Sequence, residues 1–154
     1  WYPNSFMADC EANQPHLDSA LRAVDDAVDL ALDAGVPLEK VVVLGFSQGA
    51  CLASEYVYRN PDRYGGLAAL SGGLIGPDGT TWPDADDVSL DGTPALFGCW
   101  DEDPHIPESR VHESVDAYRE RGADVTKRLY PDLGHQVSED EMDWVRGTLD
   151  DLLD

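Results

Sequence analysis

Basic residues are scarce in this chain: ten Lys and Arg stand against 31 Asp and Glu in 154 residues, a formal charge of −21. A surface of that sign repels phosphate, which excludes binding to nucleic acid or other polyanions as a role. Lysine is almost absent, at Lys40 and Lys127 only, and Asp dominates the acids in runs such as DDAVDLALD, PDADDVSLD and LDDLLD. Self-repulsion of this size destabilises a compact fold at low salt. The composition is therefore expected of a halophilic surface adapted to molar salt, the plainer alternative being an ordinary solvated acidic face.

Cysteine is equally sparse. Cys10, Cys51 and Cys99 form no CxxC pair and no cluster with histidine at ligand spacing. Neither a disulfide framework nor a zinc site is supported, and no metal or organic cofactor is expected. Long apolar runs are missing too, as is a signal peptide, so the expectation is a cytoplasmic protein that does not enter membranes. The length suits one domain with a real core. The first residue is Trp1, not Met, so the chain as written is expected to be processed or partial.

Periodicity organises what remains. Residues 14 to 34 place Leu17, Leu21, Val24, Val28 and Leu32 at three- and four-residue steps, an amphipathic helix with Asn13 as N-cap and Gly35 just past its end. Lys40 to Leu44 is a short, β-branched apolar run, expected as a strand buried on both faces of a parallel sheet. A helix follows from about Gln48 to Arg59. GGLAALSGG (65–73) is a second buried strand, and the polar stretch after it, to Gly92, is expected to be a loop. PALFGC (94–99) and 124–131 complete the strands, with helices over 108–122 and 138–153. Helix and strand alternate throughout, which predicts an α/β fold with a mostly parallel sheet and helices on both faces.

One junction stands out. The strand ending in Gly-Phe-Ser-Gln-Gly passes straight into a helix. Gly45 and Gly49 let the two backbones approach closely, and Ser47 can sit on a strained turn with its hydroxyl held out from the sheet edge. The helix N-terminus beneath favours developing negative charge, and the Gln48 N–H is a candidate oxyanion donor. An activated serine needs a base and an orienting acid. Both occur just beyond later strands: CWDEDPHIP offers Asp101 and Asp103, and YPDLGHQVS offers His135. His105 lies near the same place but adjoins the acid and precedes a proline. His16 and His112 sit in helical patterns and read as surface or packing residues. Cys51, one turn after Ser47, reads as packing.

The segments GFSQGA (45–50), LSGG (70–73), DPHIP (103–107) and GHQVS (134–138), with WYPNSF (1–6), resemble the serine carboxylesterase/phospholipase group of α/β-hydrolases, which includes acyl-protein thioesterases. The order Ser, Asp, His is that of α/β-hydrolases. The resemblance implies Asp103 as the acid, with Asp101 the alternative, and it implies ester or thioester hydrolysis. Dienelactone hydrolases are similar but use cysteine where this chain has Ser47. Family members begin with further strands, a helix and an HGxG-like loop that supplies a second oxyanion N–H. These N-terminal strands are expected to be missing here, which would expose a sheet edge that a homo-oligomer or another partner would cover.

The expected chemistry is attack by Ser47 on a small-molecule ester, with no helical lid and a preference for short acyl groups. Leu74, Ile75 and Trp82 are candidates for an acyl pocket. A non-catalytic fragment acting in association is the competing expectation, and an amidase with the same triad is a third. The charge pattern carries its own test: the melting temperature by circular dichroism should rise between 0.1 and 2 M KCl, and a flat or falling trend would reject the halophilic reading.

Overall fold

The structure, a computed structural model, describes residues 1–82 and 89–153. The main elements run α1 (His16–Asp33), β1 (Val42–Phe46), α2 (Gln48–Arg59), β2 (Gly66–Leu70), β3 (Pro94–Trp100), α3 (Glu108–Glu120), β4 (Asp124–Tyr130) and α4 (Glu139–Leu153). The four strands form one sheet in the order β1-β2-β3-β4 with every neighbouring pair parallel. Phe46 pairs with Leu70, Leu70 with Gly98, and Trp100 with Tyr130. The C-terminal strand ends therefore share one edge, where the loops after β1, β3 and β4 meet.

Alternation along the strands separates two packed faces. Leu67, Ala69, Ala95, Phe97 and Cys99 enter the larger core, with α2, α3 and the inner stripe of α1. Ala68, Leu70 and Leu96 point the other way, against Val145, Met142 and Trp144 of α4. Helices thus cover both faces, as the sequence pattern predicts. No helix among the described residues is long and apolar enough to cross a membrane.

Two local expectations are corrected. α1 starts at His16 behind Pro15, and Asn13 does not cap it. The Asn13 side chain is instead fully buried, accepting the Asn4 N–H through Oδ1 and donating from Nδ2 to the Ser5 carbonyl. That amide offered more to the loop at the chain start than to the helix. Nor is β1 buried on both faces: Leu44 is 50% and Phe46 41% exposed. β1 pairs with β2 alone, and α4 packs mainly over β2 and β3.

The segment after β2 is a loop where described, and residues 83–88 of the expected loop lie outside the described residues. Arg110, fully buried on α3, fastens this loop. Its Nη1 donates to the Leu74 and Gly76 carbonyls, its Nη2 to the Pro77 carbonyl and its Nε to Glu113. The guanidinium also lies 5.1 Å from the Trp82 ring centroid and 5.7 Å from that of Phe6. A buried cation is tolerable only when its donors are satisfied in this way. Glu55 adds an acceptor for the Ile75 N–H, and the Gly76 N–H reaches the Phe6 carbonyl, so loop and chain start form one unit.

β1 and α2 cross at very short range. A Cβ on Gly45 would overlap the Gly49 carbonyl, which is backbone and cannot swing aside. Gly45→Ala should therefore destabilise the fold by about 3 kcal/mol or more, the upper end for overpacking. Urea unfolding of the two proteins in molar KCl measures this, and a loss within experimental error would show that the crossing is not tight.

Candidate active site

The turn between β1 and α2 holds Ser47 at φ 54°, ψ −119°, a region that residues other than glycine seldom occupy. The Ser47 N–H donates to the Leu70 carbonyl at 2.9 Å, and its own carbonyl accepts from the Ala50 and Cys51 N–H groups. Strand pairing on one side and the first turn of α2 on the other hold the residue in this conformation. Gln48 and Gly49 follow as the first residues of α2, where backbone N–H groups have no intrahelical partner. The Gln48 side chain donates to the Tyr2 carbonyl at 2.8 Å.

His135 arrives from the loop after β4, next to Gly134 at φ 78°. Its Nε2 lies 2.9 Å from Ser47 Oγ and its Nδ1 2.6 Å from Asp103 Oδ2. With Nδ1–H donating to the carboxylate, Nε2 is left to accept the Ser47 hydroxyl hydrogen. Asp103 comes from the turn after β3 and is the carboxylate brought to His135; Asp101 makes no such contact. Asp103 Oδ1 accepts the His105 N–H at 2.8 Å and the Ile106 N–H at 3.2 Å, so the side chain fixes its own turn. Burial pushes the Asp103 carboxyl upward, but hydrogen bonds from His135, His105 and Ile106 and the attraction of the imidazole outweigh it and hold the group below its ordinary 3.8.

The thiols near the site are inert. Burial raises Cys51 to about 12 and, with the Asp103 charge, raises Cys99 to about 12, so both stay protonated at neutral pH. His112 lies on exposed α3 surface between Glu108 and Lys127, and His16 is exposed at the start of α1. His105 is different: its ring packs edge-on against His135 with centroids 4.8 Å apart. No group of three His, Cys, Asp or Glu suited to a metal ion occurs among the described residues.

A cavity of ≈ 320 Å³ opens beside Ser47 and His135, with Asn4, Ser5, Phe6, His105 and Ile106 in its wall. The three residues expected to line an acyl pocket are not part of that wall. Leu74 and Ile75 are 0% and 1% exposed, drawn into the core by the Arg110 and Glu55 bonds to their backbone, and Trp82 lies on Arg110. The residues that do line it, Asn4, Ser5 and Phe6, stand in a short loop with no periodicity. Their link to Gly76 and Arg110 has no sequence signature.

Residues 1–153 match the model of the family described as Phospholipase/Carboxylesterase. The chain belongs to this family. Its relatives include acyl-protein thioesterase 1 of Gibberella zeae, 30% identical over 77% of this chain and 50% of that protein. Another is a probable carboxylesterase SOBER1-like of Arabidopsis thaliana, 26% identical over 89% of this chain and 52% of that protein. The chain thus spans about half the length of the curated relatives it matches. Among solved structures, a phospholipase/carboxylesterase from Dyadobacter fermentans superposes with a TM-score of 0.87 at 40% identity, covering 100% of this chain and 71% of that one. Arabidopsis SOBER1 superposes at 0.75 with 24% identity, a likeness in fold. The four-stranded parallel sheet with its helices is that of the α/β-hydrolases.

The lowered Asp103 carboxyl has a signed consequence. A group held below its unfolded value adds stability that is fully present above that value and lost as pH falls through the folded one. Asp103→Asn should therefore cost stability at pH 7, and the gap to the parent should narrow at pH 3. Urea unfolding at the two pH values reads it directly; an equal gap at both would mean that the carboxyl is not held low.

Proposed function

We propose that this chain carries the catalytic apparatus of a serine hydrolase acting on carboxylic esters or thioesters through an acyl-serine intermediate. The observation that carries the reading is the unbroken hydrogen-bonded series from Ser47 Oγ through His135 to Asp103, anchored on the positive-φ turn. Support also comes from membership of the family and from relatives that are named as thioesterases and carboxylesterases.

In this reading Ser47 Oγ attacks the carbonyl carbon as His135 Nε2 takes its proton, and Asp103 keeps the imidazole in the tautomer that allows this. The Gln48 N–H, at the head of α2, faces the negative charge that develops on the carbonyl oxygen. The bond to the leaving group then breaks, and His135 returns the proton to the departing oxygen of an ester or sulfur of a thioester. Water attacks the acyl-serine with His135 again as base, releasing the acid and restoring Ser47. The reading extends to a single partial domain, a small-molecule ester as partner, a halophilic surface and a cytoplasmic location.

One observation favours a second reading, a non-catalytic module that acts by association: the open flank of β1, where Leu44 and Phe46 stand half exposed. A homo-oligomer built on that flank belongs to this reading.

Hydrolysis of p-nitrophenyl acetate in molar KCl separates the two. Ser47→Ala should reduce turnover by at least about a thousandfold with an unchanged circular dichroism spectrum, the scale of losing a triad nucleophile. A folded parent with no Ser47-dependent activity would instead support the association module.

A further inference from the structure

The turn that orients His135 carries a second imidazole. Asp103 Oδ1 accepts both the His105 and the Ile106 N–H groups, and Pro104 and Pro107 restrict the backbone on either side. His105 is therefore fixed by the same carboxylate that holds His135. Its ring packs edge-on against the His135 ring and forms part of the cavity wall beside Ser47. Neither of its ring nitrogens has a hydrogen-bond partner among the described residues.

The chemistry of the step says which half of an ester meets this ring. His135 Nε2 must hand its proton to the leaving oxygen, so that oxygen lies within hydrogen-bond reach of Nε2. A side chain that both packs on the His135 ring and lines the cavity is then a candidate to meet the alcohol half of the substrate.

Another part of the wall is also polar and under-used. Asn4 spends its Nδ2 on the Ala12 carbonyl, which leaves Oδ1 as an open acceptor. Ser5 Oγ accepts the Met7 N–H, which leaves its own hydrogen to donate. An imidazole nitrogen donates where it carries hydrogen and accepts where it does not. The wall therefore presents donors and acceptors together, and a hydroxyl is the group that answers both. An anion has less to meet: Lys and Arg are absent from the described wall, and the chain carries a charge of −21. At ≈ 320 Å³ the cavity has room for a glycerol-sized alcohol with a short acyl chain.

We propose that the site is selective for short-acyl esters of polyols, and that His105 is the specificity residue that hydrogen-bonds a hydroxyl of the leaving alcohol. This rests on the serine-hydrolase reading of Ser47 and His135. The test compares kcat/KM for glyceryl monoacetate with that for propyl acetate, which has the same carbon skeleton without the extra hydroxyls. The parent should prefer the glycerol ester by about fivefold, the factor of one solvent-exposed hydrogen bond. His105→Leu should bring the ratio close to one, and His105→Gln, which keeps a donor and an acceptor, should restore most of it. A parent without preference, or a His105→Leu loss that is equal for both esters, overturns the proposal, since a merely structural residue would leave the ratio unchanged.

A binding readout keeps this separate from turnover. In Ser47→Ala protein, the His105 ring resonances should shift on titration with glyceryl monoacetate and not with propyl acetate. If that difference appears while p-nitrophenyl acetate is not hydrolysed by the parent, the polyol site stands and the catalytic reading fails. If the shift is the same for both esters, the polyol site fails whatever the turnover.

Discussion

The site depends on how closely a strand and a helix can cross. Only Ser47 stands between the end of β1 and the start of α2, with Gly45 directly beneath the Gly49 carbonyl, and at this crossing Ser47 takes φ 54°. Its positive φ is held by strand pairing through the Leu70 carbonyl and by two helical bonds to its own carbonyl. The strain is local, and the packing of α2 against β1 and β2 offsets it. From that turn the hydroxyl faces the loops after β3 and β4. The register of the parallel sheet, with Trp100 beside Tyr130, delivers Asp103 and His135 to it.

A second set of bonds gives the cavity its wall. Arg110 draws three loop carbonyls and two aromatic rings around one buried guanidinium, and the Gly76 N–H hands this order on to the Phe6 carbonyl. The chain start is held from another direction by Asn13 and by the Gln48 side chain. The part of the wall formed by residues 4–6 therefore takes its shape from bonds to residues outside the Ser47–His135–Asp103 series.

Much of this was legible in the sequence, and the reasons differ from element to element. The strands β2 and β3 and the four helices follow from apolar periodicity, a local property. Gly-Phe-Ser-Gln-Gly between a strand and a helix signals the turn because the close crossing needs glycine in those places. Asp103 and His135 could be placed because a parallel sheet sends the loops after its strands to one edge. Three errors share a cause. Asn13 has the chemistry of a helix cap, β1 that of a central strand, and Leu74 and Ile75 that of pocket liners; in each, tertiary partners decided otherwise. Asn13 bonds to residues 4 and 5, β1 has one neighbour, and Glu55 and Arg110 pull the 74–75 backbone inward. The start of α4 shows the reverse case, a signal present but local: Ser138 and Glu141 cap each other across S-x-x-E, and the Glu141 carboxylate fills the space above Gly98.

Phe46 joins the open flank of β1 to the chemistry. The residue is 41% exposed and its ring centroid stands 5.0 Å from that of His135. Anything that covered the flank would restrict Phe46 and with it the imidazole resting against it. Occupation of the flank and the orientation of His135 would then be thermodynamically linked: a cover that favoured the imidazole in line with Ser47 would itself be bound more tightly when Ser47 was engaged, and by the same factor.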